Sequence, residues 1–117
     1  MESVRRELKR GTIELVLLTM LDGEDRYGYD IVSTLERRGG DFFQIKEGTL
    51  YPVLYRLEDD GYIESYRDNP KRGVPRKYYK LTDKGRIRLG DLQKEWQAFR
   101  DIVDGFIAGR EDNHEQA

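Results

Sequence analysis

Six apolar residues towards the C-terminal end, Leu89, Leu92, Trp96, Phe99, Val103 and Phe106, recur at intervals of three, four, three, four and three. That is heptad spacing, which lines side chains along one stripe of an α-helix. Ile102 and Ile107 widen the stripe. A seam this apolar has to be covered, and the chain contains one obvious cover. A helix expected over Arg5–Leu21 carries Ile13, Leu15, Val16, Leu17, Leu18, Met20 and Leu21, and is apolar nearly all round in its second half. A helix of that kind is buried on several sides. The seam is therefore expected to pack against this first helix and also against a second copy of the chain. Composition points the same way: of 117 residues, 37% are hydrophobic and 38% charged, a small apolar reserve for a single domain.

Between these two helices the pattern is legible segment by segment. Gly11-Thr12 interrupts the first helix, with Thr12 either an N-cap or a weak point inside a longer helix, and Asp22-Gly23 ends it. Ile31, Val32 and Leu35 stripe a second helix over Gly28–Arg38, stopped by Gly39-Gly40. Leu50, Val53, Leu54 and Leu57 fall at i, i+3, i+4 and i+7 of a third, over Glu47–Asp60. Pro52 is awkward inside it, since proline belongs in a first turn, so the regular helix is expected to begin only just before Pro52. Tyr62–Tyr66 and Arg76–Leu81 alternate in part and are rich in tyrosine, with turn residues from Asp68 to Pro75 between them. Thr82 and Asp83 open the last helix, which runs to about Ile107. The expected fold is mainly α with a small β-hairpin: a winged helix-turn-helix over residues 1–82, a long dimerisation helix over 83–108 and a disordered tail over 109–117.

The net charge of −2 argues against a nucleic-acid partner until charge is mapped by position. Six cations stand against one acid between Tyr66 and Lys80, and Arg5, Arg6, Lys9 and Arg10 add to the N-terminus. The acids gather at Glu58, Asp59 and Asp60 and in the tail. An uneven distribution of this kind steers DNA to one face. The chain has no cysteine, so neither disulfides nor thiolate metal sites are available, and a cytoplasmic protein is expected. No apolar run approaches a membrane span, and the charged N-terminus is unlike a signal peptide. The lone His114 lies in the polar tail, and no nucleophile–base arrangement, phosphate loop or metal-ligand spacing is present. No enzyme, cofactor or metal is expected.

In a winged helix the third helix enters the major groove of double-stranded DNA and the hairpin lies over the adjacent backbone. Thr49, Tyr51 and Arg56 fall on the side of the third helix opposite its core stripe, and Lys46 precedes it. Hydroxyls and cations of this kind contact phosphates, and arginine also grips a guanine edge. Lys71, Arg72, Arg76 and Lys77 concentrate charge in the hairpin, where each can release counterions from a phosphate. Ordinary solvated residues and an aggregation-resistant charged hairpin are the plainer readings of the same positions. Tyr62, Tyr66, Tyr78 and Tyr79 are expected to pack rather than to stack on bases. Trp96, the only tryptophan, is either a core or interface residue or a platform for a flat ligand between subunits, with Gln93, Gln97 and Arg100 as polar neighbours.

Gly48-Thr49-Leu50-Tyr51-Pro52-Val53-Leu54, Leu57-Glu58-Asp59-Asp60-Gly61 and the run from Arg76 to Gly85, with Tyr27-Gly28-Tyr29-Asp30-Ile31, together resemble the PadR family of bacterial transcriptional regulators over about Gly11–Ile107. The resemblance implies a homodimer on a palindromic operator, usually a repressor relieved by a small molecule or stress. It adds Tyr27 to the DNA contacts. The single C-terminal helix is similar to the short-form branch, which includes multidrug-sensing repressors whose paired tryptophans sandwich flat drugs. On that likeness Trp96 takes the tryptophan position, and Leu15, Thr19 and Arg100 line the pore of a small aromatic effector. Arg100 departs from the pattern and favours neutral or anionic ligands. The alternative from another class is a winged-helix module that binds protein rather than specific DNA.

Overall fold

The computed structural model describes residues 2–68 and 73–109. Helix α1 spans Glu2–Met20 and passes through Gly11-Thr12 without a break. The Thr12 hydroxyl donates to the carbonyls of Leu8 (2.9 Å) and Lys9 (3.3 Å). Thr12 is therefore a helix-interior residue bonding backwards, not a cap.

A short strand expected by none of the sequence patterns follows. β1, Arg26–Tyr27, leads directly into helix α2, Gly28–Gly39, and pairs antiparallel with β3, Arg76–Leu81. β3 also pairs with β2, Ile63–Asp68, so the expected hairpin is the larger part of a three-stranded sheet of order β1-β3-β2. Arg26 holds β1 in place. Its Nε donates to the Met20 carbonyl at 3.0 Å, and one terminal nitrogen reaches Asp30 at 3.2 Å.

A 3-10 turn over Gly40–Phe42 separates α2 from helix α3, Glu47–Asp59. The expectation that the regular helix begins only just before Pro52 fails: Pro52 sits in the second turn. Proline withholds one hydrogen bond, the one its amide would give the Gly48 carbonyl. Gly48 is exposed, so water can serve that carbonyl, while the Lys46 carbonyl accepts from Thr49 and Leu50, both at 2.9 Å, and anchors the first turn. Gly61, at φ +81°, ends the helix in a conformation open to glycine.

Leu17, Leu18, Ile31, Leu50, Leu54, Leu57, Ile63 and Tyr79 form the centre of one core between α1, α2, α3 and the inner face of the sheet. Helix α4, Asp83–Ile107, begins at Thr82, whose hydroxyl accepts from the Gly85 amide at 2.9 Å and donates to the Gly61 carbonyl at 2.6 Å. The heptad seam divides along its length. Leu89 is buried and Leu92 packs against the core, but Phe99 is 62% and Phe106 82% exposed. The first turns of α4 finish this chain's core, and the remainder carries its apolar stripe uncovered.

Candidate nucleic-acid interface

The face of α3 opposite its buried leucines carries Gly48, Thr49, Pro52, Tyr55, Arg56 and Asp59, all exposed. Lys46, also exposed, stands at its N-cap in an extended conformation. Tyr51 lies on the flank towards α2. It is half-buried, its hydroxyl rests against Gly28, and its ring meets Tyr55 at 6.1 Å. Burial, with the nearby Glu47 carboxylate, pushes the Tyr51 phenol pKa up.

Strand alternation sends Arg76 and Lys77 to opposite faces of β3. Arg76 points outward and stacks its guanidinium 4.8 Å from the centre of the Tyr27 ring. Lys77 points inward, its Nζ 5.4 Å from the Tyr55 ring centre and 5.5 Å from that of Tyr79. Lys77 thus bridges wing and α3, and Arg76 bridges wing and the start of α2. Lys71 and Arg72, at the tip, lie outside the described residues, as do residues 110–117 of the tail and with them His114.

The tyrosines expected to pack divide. Tyr79 is buried, but Tyr66 is 42% exposed. On the outer sheet face Tyr66 stacks on Tyr78 at 5.6 Å, Tyr78 meets Tyr27 at 5.5 Å, and Tyr27 meets Tyr29 at 6.4 Å. This ladder depends on β1, a strand of two residues, too short for periodicity to reveal. The Tyr66 hydroxyl donates to Asp25 at 2.7 Å, and that bond raises its pKa to about 12.

Arg56 takes the other flank of α3, towards α1. One of its terminal nitrogens is 3.6 Å from Glu14, whose second oxygen accepts from Arg88 of α4 at 2.7 Å. That hydrogen bond raises the Arg88 pKa. Sequence inspection missed Glu14 and Arg88, which are 74 positions apart and carry no local pattern.

The three residues face a groove of about 610 Å³ between α1, α3 and α4, where Leu15 and Trp96 also lie. Thr19 lies instead in a smaller groove of about 280 Å³ on the far side of Leu15, towards α2. Gln93 and Arg100 are exposed on α4 outside both grooves, and Arg100 donates to Asp101 at 3.2 Å. Within one chain, then, Leu15 lines both grooves and shares the larger with Trp96 and the smaller with Thr19. Of the seam, Trp96 is 39% exposed and Val103 half-buried. Among the described residues no cluster of histidine, aspartate and glutamate is placed to hold a metal, and no helix is long and apolar enough to cross a membrane.

Known proteins share this fold. Residues 17–91 match the model of the transcriptional regulator PadR-like family. A Lysinibacillus sphaericus protein of uncharacterized function is 41% identical over 108 residues, covering 92% of this chain and 99% of that one. The crystal structure of a PadR family transcriptional regulator from Eggerthella lenta superposes with a TM-score of 0.80 at 37% identity, covering 91% of this chain and 90% of that one. The negative transcriptional regulator PadR of Bacillus subtilis is 32% identical over 79 residues, which are 68% of this chain and 43% of that protein. Its crystal structure in complex with operator DNA superposes with a TM-score of 0.64 at 30% identity, over 70% of this chain and 46% of that one.

Proposed function

Since the chain belongs to the transcriptional regulator PadR-like family, we propose that it is a dimeric, cytoplasmic repressor that grips double-stranded operator DNA with α3 and the wing. The observation that carries this reading is the position of Lys77. With its ammonium over Tyr55, an exposed residue of α3, the wing cation and the outer face of α3 form one surface. Arg76, stacked on Tyr27, extends the surface to β1, the strand that leads into α2. Thr49 on α3 and Lys46 at its N-cap present an exposed hydroxyl and ammonium, and Lys71 and Arg72 add two cations to the sequence between β2 and β3. Phosphate contacts of this kind fix register on the duplex, and residues of α3 that reach base edges supply sequence preference. The complex of Bacillus subtilis PadR with operator DNA supports the same use of the fold.

The dimer reading rests on α4. Trp96, Phe99, Ile102, Phe106 and Ile107 leave a continuous apolar stripe exposed, and a stripe of this size on a monomer marks an interaction site. Residues 1–82 are the DNA-binding unit and 83–108 the dimerisation helix. A twofold axis along paired α4 helices sets two copies of α3 on a palindromic site. A small aromatic effector held by Trp96 and Leu15 between the subunits changes the spacing of those helices and so the fit to the operator. Thr19, Gln93 and Arg100 join such a site only by closing in from outside the groove that Leu15 and Trp96 share.

Fluorescence anisotropy with labelled DNA from immediately upstream of the protein's own gene, at several salt concentrations, tests the reading. Binding that exceeds scrambled DNA and weakens steeply with salt is the expected result. Equal binding to both duplexes at low salt leaves the protein-binding module as the better description.

A further inference from the structure

Glu14 is the one described carboxylate that touches both α3 and α4. Its two oxygens are unequally engaged. Oε2 accepts from Arg88 Nε at 2.7 Å, a short charge-assisted bond that fixes the carboxylate to α4. Oε1 is 3.6 Å from a terminal nitrogen of Arg56, beyond hydrogen-bond length. The Glu14 side chain is only 21% exposed, whereas that of Arg56 is 57% exposed, on the outer flank of α3. A part-buried anion bonded to α4 therefore holds, loosely, an exposed cation on α3.

We propose that Glu14 is a positioning residue that competes with DNA phosphate for Arg56, and so sets how strongly α3 binds. This inference rests on the DNA-binding reading above. Arg56 has one guanidinium and two anionic destinations: the Glu14 carboxylate on the α1 side, or a phosphate on the outer side. An exposed ion pair has little net strength, so the exchange is finely balanced and either destination is accessible. Because Arg88 ties Glu14 to α4, any movement of α4 against α1 shifts the anion and changes the balance at Arg56. The dimer helix and the DNA face are thereby linked through three side chains on three helices.

The test compares wild-type protein with Glu14→Gln, Arg56→Gln and the double variant, using a labelled duplex from upstream of the gene and a random duplex. Glu14→Gln keeps a carbonyl for Arg88 but releases Arg56, and is expected to tighten binding about two- to five-fold. The salt dependence should steepen by about one phosphate contact. In the Arg56→Gln background the Glu14 substitution should do nothing. Glu14→Asp keeps the net charge while withdrawing the carboxylate from Arg56, and should tighten binding as well; it also serves if Glu14→Gln proves unstable. Unchanged affinity in both Glu14 variants, or equal tightening with and without Arg56, overturns the proposal while leaving the DNA-binding reading intact. Wild-type protein that does not prefer the upstream duplex overturns both.

Discussion

The hydroxyl of Tyr51 rests against Gly28, so closely that no side chain fits at position 28 without moving the ring. This contact locks α3 to the first residue of α2 and sets the angle at which the outer face of α3 is presented. Gly28→Ala forces an overpacked junction, which costs about 1–3 kcal/mol. Tyr51→Phe removes the crowding oxygen, and the double variant should lose less stability than the sum of the two single changes. Urea denaturation of the four proteins measures this, and strict additivity would show that the contact does not couple the two helices.

Thr82 caps α4 and ties it to the end of α3 through Gly61. Thr82→Ala loses both bonds and is expected to cost about 1–2 kcal/mol, whereas Thr82→Ser keeps them and should cost far less. Thermal melts of the two variants check this ordering.

Lys77 joins the wing to α3 in the proposed interface. Lys77→Gln should weaken DNA binding several-fold and reduce the slope of log affinity against log salt by about 0.9, the effect of one lost phosphate contact. Circular dichroism should be unchanged. A full-strength salt slope in the variant would show that Lys77 touches no phosphate.

Tyr79 is 1% exposed, and its hydroxyl has no hydrogen-bond partner among the described residues. A buried, unsatisfied polar group is destabilising, so Tyr79→Phe should stabilise the fold by roughly 1 kcal/mol. The same burial raises the phenol pKa from 10.0 to about 12. Because the folded pKa lies above the unfolded value, this group leaves stability unaffected by pH below about pH 10 and lowers it as pH rises towards 12. Tyr66 follows the same sign through its bond to Asp25. Phenolate absorbance should show late-titrating tyrosines, one of them removed by Tyr79→Phe and another by Tyr66→Phe.

Phe106 is 82% exposed, so Phe106→Glu should change the stability of a single chain by no more than about 0.5 kcal/mol. Buried in a paired α4 seam, the same carboxylate should raise the dimer dissociation constant at least tenfold. Sedimentation equilibrium distinguishes the cases, and an unaltered association constant would place the dimer contact elsewhere.

Local patterns carried most of the fold. The 3-4 spacing from Leu89 to Phe106, the Leu50–Leu57 stripe, the turn residues around Pro70 and the Thr82-Asp83 start signal each act within a few residues, where periodicity and capping are set by backbone geometry alone. They suffice for four helices, a hairpin and a basic wing. Pro52 misled because its cost depends on whether water reaches the Gly48 carbonyl, a matter of exposure rather than spacing. β1 escaped notice because two residues have no period, and its strand character comes from pairing with Tyr78 and Tyr79. The same holds for the site. The identity of the cations was visible in the chain, but their partners were not. Alternation along β3 separated Arg76 from Lys77, and the meeting of α1, α3 and α4 brought Glu14 between Arg56 and Arg88. Which faces are apolar and where charge is concentrated follow from residue type and period along the chain. Which charges neutralise one another follows from the folding together of α1, α3 and α4, because an ion pair depends on a distance of a few ångströms between residues remote in sequence.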